Sequence, residues 1–244
     1  FALYSFLEGE STKNINSDFI DQVSGFIKKI NKNKVGENIL IKEAAESCFS
    51  IKEHILLIKK RLLNLEKINP INDVTDEMLK FLKTKLKPKF MKIYNNIETL
   101  DFFKKSYGME MRESQKILSP SDFGFQNILI NRGKLYFLDF EYAGLDDPAK
   151  LICDFACHPE VPIKKDFLDL FIKSFFEWYD YAEEAVKRSH YLLPFYRIKW
   201  CCIMLNEFTR TGIQRRKFSG VLNSDIQNAQ LIKTQKYFKI HLEK

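Results

Sequence analysis

Residues 119–141 read Ser119-Pro120-Ser121-Asp122-Phe123-Gly124-Phe125-Gln126-Asn127-Ile128-Leu129-Ile130-Asn131-Arg132-Gly133-Lys134-Leu135-Tyr136-Phe137-Leu138-Asp139-Phe140-Glu141. Two apolar runs, 128–130 and 135–138, flank the turn-forming residues Asn131, Arg132, Gly133 and Lys134. That pattern predicts a loop followed by a short β-hairpin. Asp122 and Asn127 sit five apart in the loop, and Asp139 ends the second strand. A carboxylate, an amide and a second carboxylate so arranged suit phosphoryl transfer from a magnesium nucleotide. Asp122 would orient the attacking hydroxyl, while Asn127 and Asp139 would hold Mg²⁺ on the phosphates.

The stretch resembles the catalytic core of the aminoglycoside phosphotransferase and choline kinase-like family, a branch of the protein-kinase-like fold. That family shows His-Gly-Asp, an Asn five residues after the Asp, and a hydrophobic strand ending in Asp-Phe or Asp-Trp. Here the spacing from Asp122 to Asn127 matches, as does Leu135-Tyr136-Phe137-Leu138-Asp139-Phe140-Glu141. Gly144-Leu145-Asp146-Asp147-Pro148 and Asp154-Phe155-Ala156 resemble two further stretches of the family. At the positions of the family's His and Gly stand Pro120 and Ser121, and proline restrains the loop through its own φ.

The resemblance extends to the first residues, Phe1-Ala2-Leu3-Tyr4-Ser5-Phe6-Leu7-Glu8-Gly9, which look like the hinge between the two lobes of such kinases. It implies that the Ser5 carbonyl and Leu7 N–H meet the adenine edge of ATP, with Tyr4 behind and Leu129 and Leu138 beneath the base. It also implies that Asp154 braces the catalytic loop as structural support, and that Glu141 faces the metal or the substrate. The implied fold is α+β and mostly α-helical, a protein-kinase-like large lobe with a small catalytic β-hairpin. Segments 1–10 and 11–244 would be hinge and large lobe. The latter would divide into a helical arm (11–114), the catalytic and metal-binding segment (115–160) and C-terminal helices (161–244). The β-rich small lobe, with its glycine-rich loop and phosphate-binding lysine, would lie outside this sequence.

Composition narrows the alternatives. With 244 residues, 45% apolar and 29% charged, the chain suits a soluble globular protein with a substantial core. The 22 Phe and 10 Tyr predict aromatic packing, and only 9 Gly and 7 Pro predict long elements with few tight turns. Lys plus Arg exceed Asp plus Glu by 39 − 32 = 7. That excess fits either a solvated basic surface or an anionic small-molecule partner, and no nucleic-acid motif accompanies it. Five cysteines without a regular framework predict reduced thiols in the cytoplasm. The longest apolar run, 200–205, is too short to span a membrane.

Elsewhere the periodicity is helical. Asn16-Ser17-Asp18 caps a first helix, and 39–68 reads as one long helix ended by Asn69-Pro70. Thr75-Asp76-Glu77 starts another, which carries Lys83, Lys85, Lys87, Lys89 and Lys92. The remaining helices are expected over 164–181, 183–209 and 224–241, with Pro194 kinking the middle one. Cys153, Cys157 and His158 read as a metal site or, better, as a buried helical face. Arg210, Arg215, Arg216 and Lys217 cluster before the last helix. They read either as a solvated basic loop or, since the resemblance implies that the C-terminal helices wall the acceptor pocket, as substrate groups, with Arg210 and Arg215 the candidates for an anionic group on a small hydroxyl acceptor. The competing functions are a catalytically weak kinase-like scaffold and a nucleic-acid binder using Lys83 to Lys92.

Overall fold

The computed structural model describes residues 6–11, 15–32, 40–160, 163, 165–218 and 224–243, with backbone alone at Lys165, Asp166, Lys217 and Ser224. In chain order the elements are β1 (Glu10–Ser11), α1 (Ser17–Lys32), α2 (Ile51–Glu66), α3 (Asp73–Phe81), α4 (Lys87–Glu98) and α5 (Asp101–Ser106). Then follow β2 (Ile117–Ser119), β3 (Ile128–Asn131), β4 (Lys134–Phe137), β5 (Gly144–Asp146) and α6 (Pro148–Ala156). The chain closes with α7 (Lys165–Phe176), α8 (Ala182–Met204), α9 (Arg210–Phe218) and α10 (Ser224–His241). Contacts divide it into two units, Phe1–Phe49 with Met111–Ser189 and Ser50–Glu110 with His190–Lys244.

The first unit is built around two small sheets. In one, β3 lies between β1 and β4, all antiparallel; in the other, β2 pairs antiparallel with β5. The hairpin expected from the sequence forms, with Ile128 opposite Phe137 and Asn131 opposite Lys134. Its two turn residues, Arg132 and Gly133, have φ of 49° and 77°. Positive φ at both positions is what a type I′ turn demands, and it matches the right-handed twist of the strands. Gln22 of α1 clamps this turn: its amide donates to the Gly133 carbonyl (2.9 Å) and accepts from the Leu135 N–H (2.9 Å).

α1 begins as expected, with the Asn16 side chain accepting from the Phe19 N–H at 2.8 Å. Its buried stripe of Phe19, Ile20, Val23 and Ile27 follows the helical period. At the far end, Asn31 bonds both the N–H and the carbonyl of Leu118, stapling the helix to β2. Aromatic rings fill the space between: Phe26 stacks on Phe137 at 4.1 Å, and Phe155 contacts Phe19, Phe123, Phe125 and Phe171. The phenylalanine-rich composition is spent here.

The long helix expected over 39–68 is shorter, beginning only at Ile51. Residues 42–44 are extended instead and bond to β5, through Ala44 N–H to Leu145 O (3.0 Å) and Leu145 N–H to Lys42 O (2.9 Å). Gly144 makes this approach possible, since a Cβ there would lie 2.5 Å from the backbone of residues 42–44. Helical propensity in Ala44-Ala45-Glu46 is overridden by this pairing. The true start is Ser50, whose hydroxyl accepts from the Glu53 N–H.

The second unit is helical. Between α3 and α4 the helix widens into a π-turn at Leu82–Leu86. Pro88 in the first turn of α4 supplies the reason, because it has no N–H to return to residue 84 and its ring crowds that carbonyl. α8 runs unbroken through Pro194. The expected helix end at 209 resolves into a 3₁₀ turn (Leu205–Phe208) and a separate α9. Buried His54 meets the Tyr196 hydroxyl at 2.7 Å. All five cysteines are buried free thiols, and burial pushes Cys202 up to about 12, so it is inert. Among the described residues no helix is long and apolar enough to cross a membrane.

His241, at the end of α10, carries a pH prediction. Burial, and then the nearby Arg197, lower its pKa from 6.5 to about 4. The unfolded chain therefore binds a proton that the folded chain refuses, and stability falls as pH drops from about 6.5 to about 4. His241→Gln flattens this part of the profile in denaturant titrations across that range. An unchanged slope rules out the assignment.

Candidate active site

β2 delivers the chain into the loop at 120–127. Ser121 takes a φ of 66°, in the left-handed region where a non-glycine residue is unusual. Three bonds hold it there: its N–H donates to Ser119 Oγ (3.1 Å), its hydroxyl donates to the Ala45 carbonyl (3.1 Å), and Asp122 N–H reaches Pro120 O (3.0 Å). Where the resembling family carries His-Gly, this chain thus uses a buried proline and a tethered serine.

Beyond Ser121 the side chains alternate. Phe123 and Phe125 are buried among Phe26, Phe137, Phe155 and Phe19, while Asp122 and Gln126 face solvent. Burying two aromatic side chains contributes about 3–6 kcal/mol and pins the loop with Asp122 outward. Gln126 donates to Asp122 Oδ1 at 3.1 Å.

Asn127 ties the loop to the hairpin. Its side-chain N–H donates to the Asp122 carbonyl (2.8 Å), and its own carbonyl accepts from the Leu138 N–H (2.9 Å). Two bonds therefore link residues 122, 127 and 138, and Asp139 follows directly. The amide oxygen of Asn127 is left as its acceptor atom. Asp139 is exposed with a φ of 60°, a second left-handed position beside the same loop. Backbone strain of this kind persists where the surroundings impose it, and it collects at functional sites. Glu141 is exposed in the turn closed by Ala143 N–H to Phe140 O (3.0 Å).

The strand register sorts the hairpin faces. Ile128 and Phe137 point to the core, so Leu129, Tyr136 and Leu138 share the other face. Tyr136 and Leu138 are each 37% exposed. Tyr136 is an addition to the adenine-floor candidates, and its period-two spacing from Leu138 was the available signal. β1 runs beside β3, with Asn131 donating to the Glu8 carbonyl (2.8 Å). Leu7, half-buried, precedes this strand. The hinge contacts expected of Tyr4 and Ser5 lie outside the described residues.

Beneath the loop sits a buried charged cluster built on Asp146 and Asp147, whose ion pairs the sequence did not reveal. Asp146 and Asp147 are wholly buried. Lys150 pairs with Asp146 and donates to the Ala45 carbonyl, the same group that holds Ser121. Asp146 also accepts from the Cys48 and Asp147 N–H groups. Desolvation pushes the Asp146 carboxyl up. Burial works against the Lys150 ammonium too, but the Asp146 and Asp154 carboxylates outweigh it and hold that lysine above its ordinary value. Asp154 is half-buried on α6, one turn beyond Lys150. Asp147 caps α6 through the Ala149 N–H (2.8 Å) and receives Arg188 from α8 (Nε at 3.1 Å). The spacing Asp146-x3-Lys150 was a legible hint of the first pair.

Asp147→Ala removes the cap and leaves Arg188 nearly buried without its carboxylate. The expected loss is about 3–5 kcal/mol for the stranded charge and about 1 for the cap. Denaturant unfolding measures it, and a loss under about 1 kcal/mol contradicts the reading.

Cys153, Cys157 and His158 are buried along and just after α6, with Cys153 Sγ 3.4 Å from the Ser189 carbonyl and His158 edge-on to Phe125. This is the helical-face reading. Arg210 and Arg215 are exposed on α9, in the second unit.

The residues present fit a magnesium nucleotide. One neutral oxygen and one carboxylate are sufficient, since Mg²⁺ keeps waters and phosphate oxygens as its other ligands.

No family model matches the sequence. No curated protein matches it either. Solved structures do. A choline kinase from Cryptosporidium parvum aligns with a TM-score of 0.50 at 12% identity, over 96% of this chain and 69% of that one. An ethanolamine kinase from Plasmodium vivax aligns with a TM-score of 0.50 at 18% identity, over 95% and 63%. A spectinomycin phosphotransferase, solved with ADP and spectinomycin, aligns with a TM-score of 0.53 at 14% identity, over 98% and 66%. The chain thus spans about two thirds of each. It has the protein-kinase-like fold of the choline kinases and aminoglycoside phosphotransferases, mostly helical with small sheets, and the resemblance carried by residues 119–156 holds at that level.

Proposed function

We propose that this chain is the hinge (1–10) and larger lobe (11–244) of a small-molecule kinase that moves the γ-phosphate of ATP to an acceptor hydroxyl. The single observation that supports the reading is the pair of bonds from Asn127 to the Asp122 carbonyl and the Leu138 N–H, which holds the 122–127 loop against the strand end that precedes Asp139. Asp122 receives and orients the acceptor hydroxyl. In a loose phosphoryl-transfer transition state little proton transfer has occurred, so placement matters more than basicity. Asn127 and Asp139 hold Mg²⁺, which neutralises charge on the phosphates when bound. Leu129, Tyr136 and Leu138 offer an apolar face for the adenine, with Leu7 along the edge. Glu141 stands on the acceptor side, and Arg210 and Arg215 on α9 suit an anionic group. Asp154, with Lys150, supports the loop from α6. The reaction suits the cytoplasm.

The test is ATP consumption by the full-length protein, with and without Mg²⁺, against pools of hydroxyl-bearing metabolites. Metal-dependent turnover requiring one pool supports the reading and narrows the acceptor. Absence of both turnover and Mg·ATP binding moves the function to a kinase-like scaffold, the reading that Pro120 in place of His favours.

A further inference from the structure

The second unit contains a pocket of 830 Å³ walled by the last turns of α2, residues 68–71 and the start of α9. Its volume falls in the range of metabolite sites. Four cationic side chains line it (Arg61, Lys67, Arg210 and Arg215), and among the described lining residues there is no carboxylate.

The carboxylates nearest in sequence are already engaged. Glu66 pairs with Lys87, and Glu207 binds Arg216 through two bonds, at 2.6 and 2.9 Å. Neither Arg210 nor Arg215 makes an ion pair among the described residues, whereas Arg216 beside them does. Arg210 and Arg215 therefore bring positive charge to the pocket in the folded protein.

The start of α9 adds to this. The Thr209 hydroxyl accepts from the Gly212 N–H (3.1 Å), and the Thr209 carbonyl accepts from the Ile213 N–H (2.9 Å). The first-turn N–H groups of Arg210 and Thr211 have no intrahelical acceptor, and they lie at the positive end of the helix dipole. Gly212 fixes this start closely on the preceding turn, since a Cβ there would fall 2.0 Å from the Asn206 carbonyl. Asn64, Asn69 and Asn206 supply neutral hydrogen-bonding groups to the same wall.

We propose that this pocket binds a small molecule through a phosphate ester. A phosphomonoester carries close to two negative charges at neutral pH and three acceptor oxygens, which match several convergent cations better than a single carboxylate does. The pocket's volume favours a metabolite over a polymer, whose contacts would run along an extended basic stripe. The inference stands apart from phosphoryl transfer, because binding is measured without ATP.

Calorimetric titration of the full-length protein at physiological salt provides the test, using glucose 6-phosphate, inorganic phosphate and glucose. Saturable one-to-one binding of both phosphates and none of glucose is expected. Arg210→Gln combined with Arg215→Gln weakens it about ten-fold or more, as loss of charged hydrogen bonds requires. Lys83→Gln, on the exposed α3–α4 surface, leaves it unchanged. Equal binding by the Arg210→Gln, Arg215→Gln protein overturns the proposal, as does failure of both phosphates to bind. Binding confined to a single-stranded oligonucleotide, with steep salt dependence, overturns it in favour of a nucleic-acid surface. Phosphate binding with neither ATP turnover nor Mg·ATP binding keeps this inference and removes the kinase reading.

Discussion

Asp139→Asn lowers Mg²⁺-dependent nucleotide turnover by about 10³-fold, with the unfolding midpoint essentially unchanged. Asn is the informative replacement because Asp139 holds a φ of 60°, and Asn tolerates that region while alanine does not. The change therefore removes a charge and leaves the backbone alone. The measurement is initial rate against Mg²⁺ concentration, with circular dichroism as the folding control. Turnover within a few-fold of the parent would remove Asp139 from the metal site.

Asp122→Asn acts on a different quantity. It lowers kcat by about 10²- to 10⁴-fold and leaves ATP affinity close to that of the parent. Asn preserves the size of the side chain and an oxygen for Gln126, so the loop keeps its shape. What disappears is the charge that orients the attacking hydroxyl. Nucleotide affinity measured by titration, beside steady-state rates, separates the two effects. Equal losses in affinity and rate would mean that Asp122 serves nucleotide binding or the fold.

The parts of the site that could be read from the sequence are those built from local contacts. The hairpin was visible because its register depends on a four-residue turn and two short apolar runs. Asn127 and Asp139 fall at its open end for the same reason. The Ser50 cap was missed, although Ser50 and Glu53 have the spacing of a capping box. The helical look of residues 44–46 concealed it, because nothing local announces that Leu145 will claim their backbone. Arg188 lies 41 residues from Asp147, and its choice of partner depends on where α8 packs. The loop tether from Ser121 to Ala45 spans 76 residues and is equally silent in the sequence. The charge of the α9 pocket became visible only once Glu66 and Glu207 were seen to face other cations.

The type I′ turn at Arg132-Gly133 bears on how the molecule is made. Hairpins of this kind close in about 1–10 μs, long before contacts of high sequence separation are found. Asn127 and Asp139 are only twelve residues apart around that turn, so they come together in the earliest local event of folding. The Ser121 tether and the Asp147–Arg188 pair arrive later, across far longer loops. Substitutions at Arg132 or Gly133 should therefore slow refolding of the first unit, whereas loss of the Arg188 pair should chiefly speed its unfolding. The two metal-side residues are born as neighbours, and the rest of the unit closes around them.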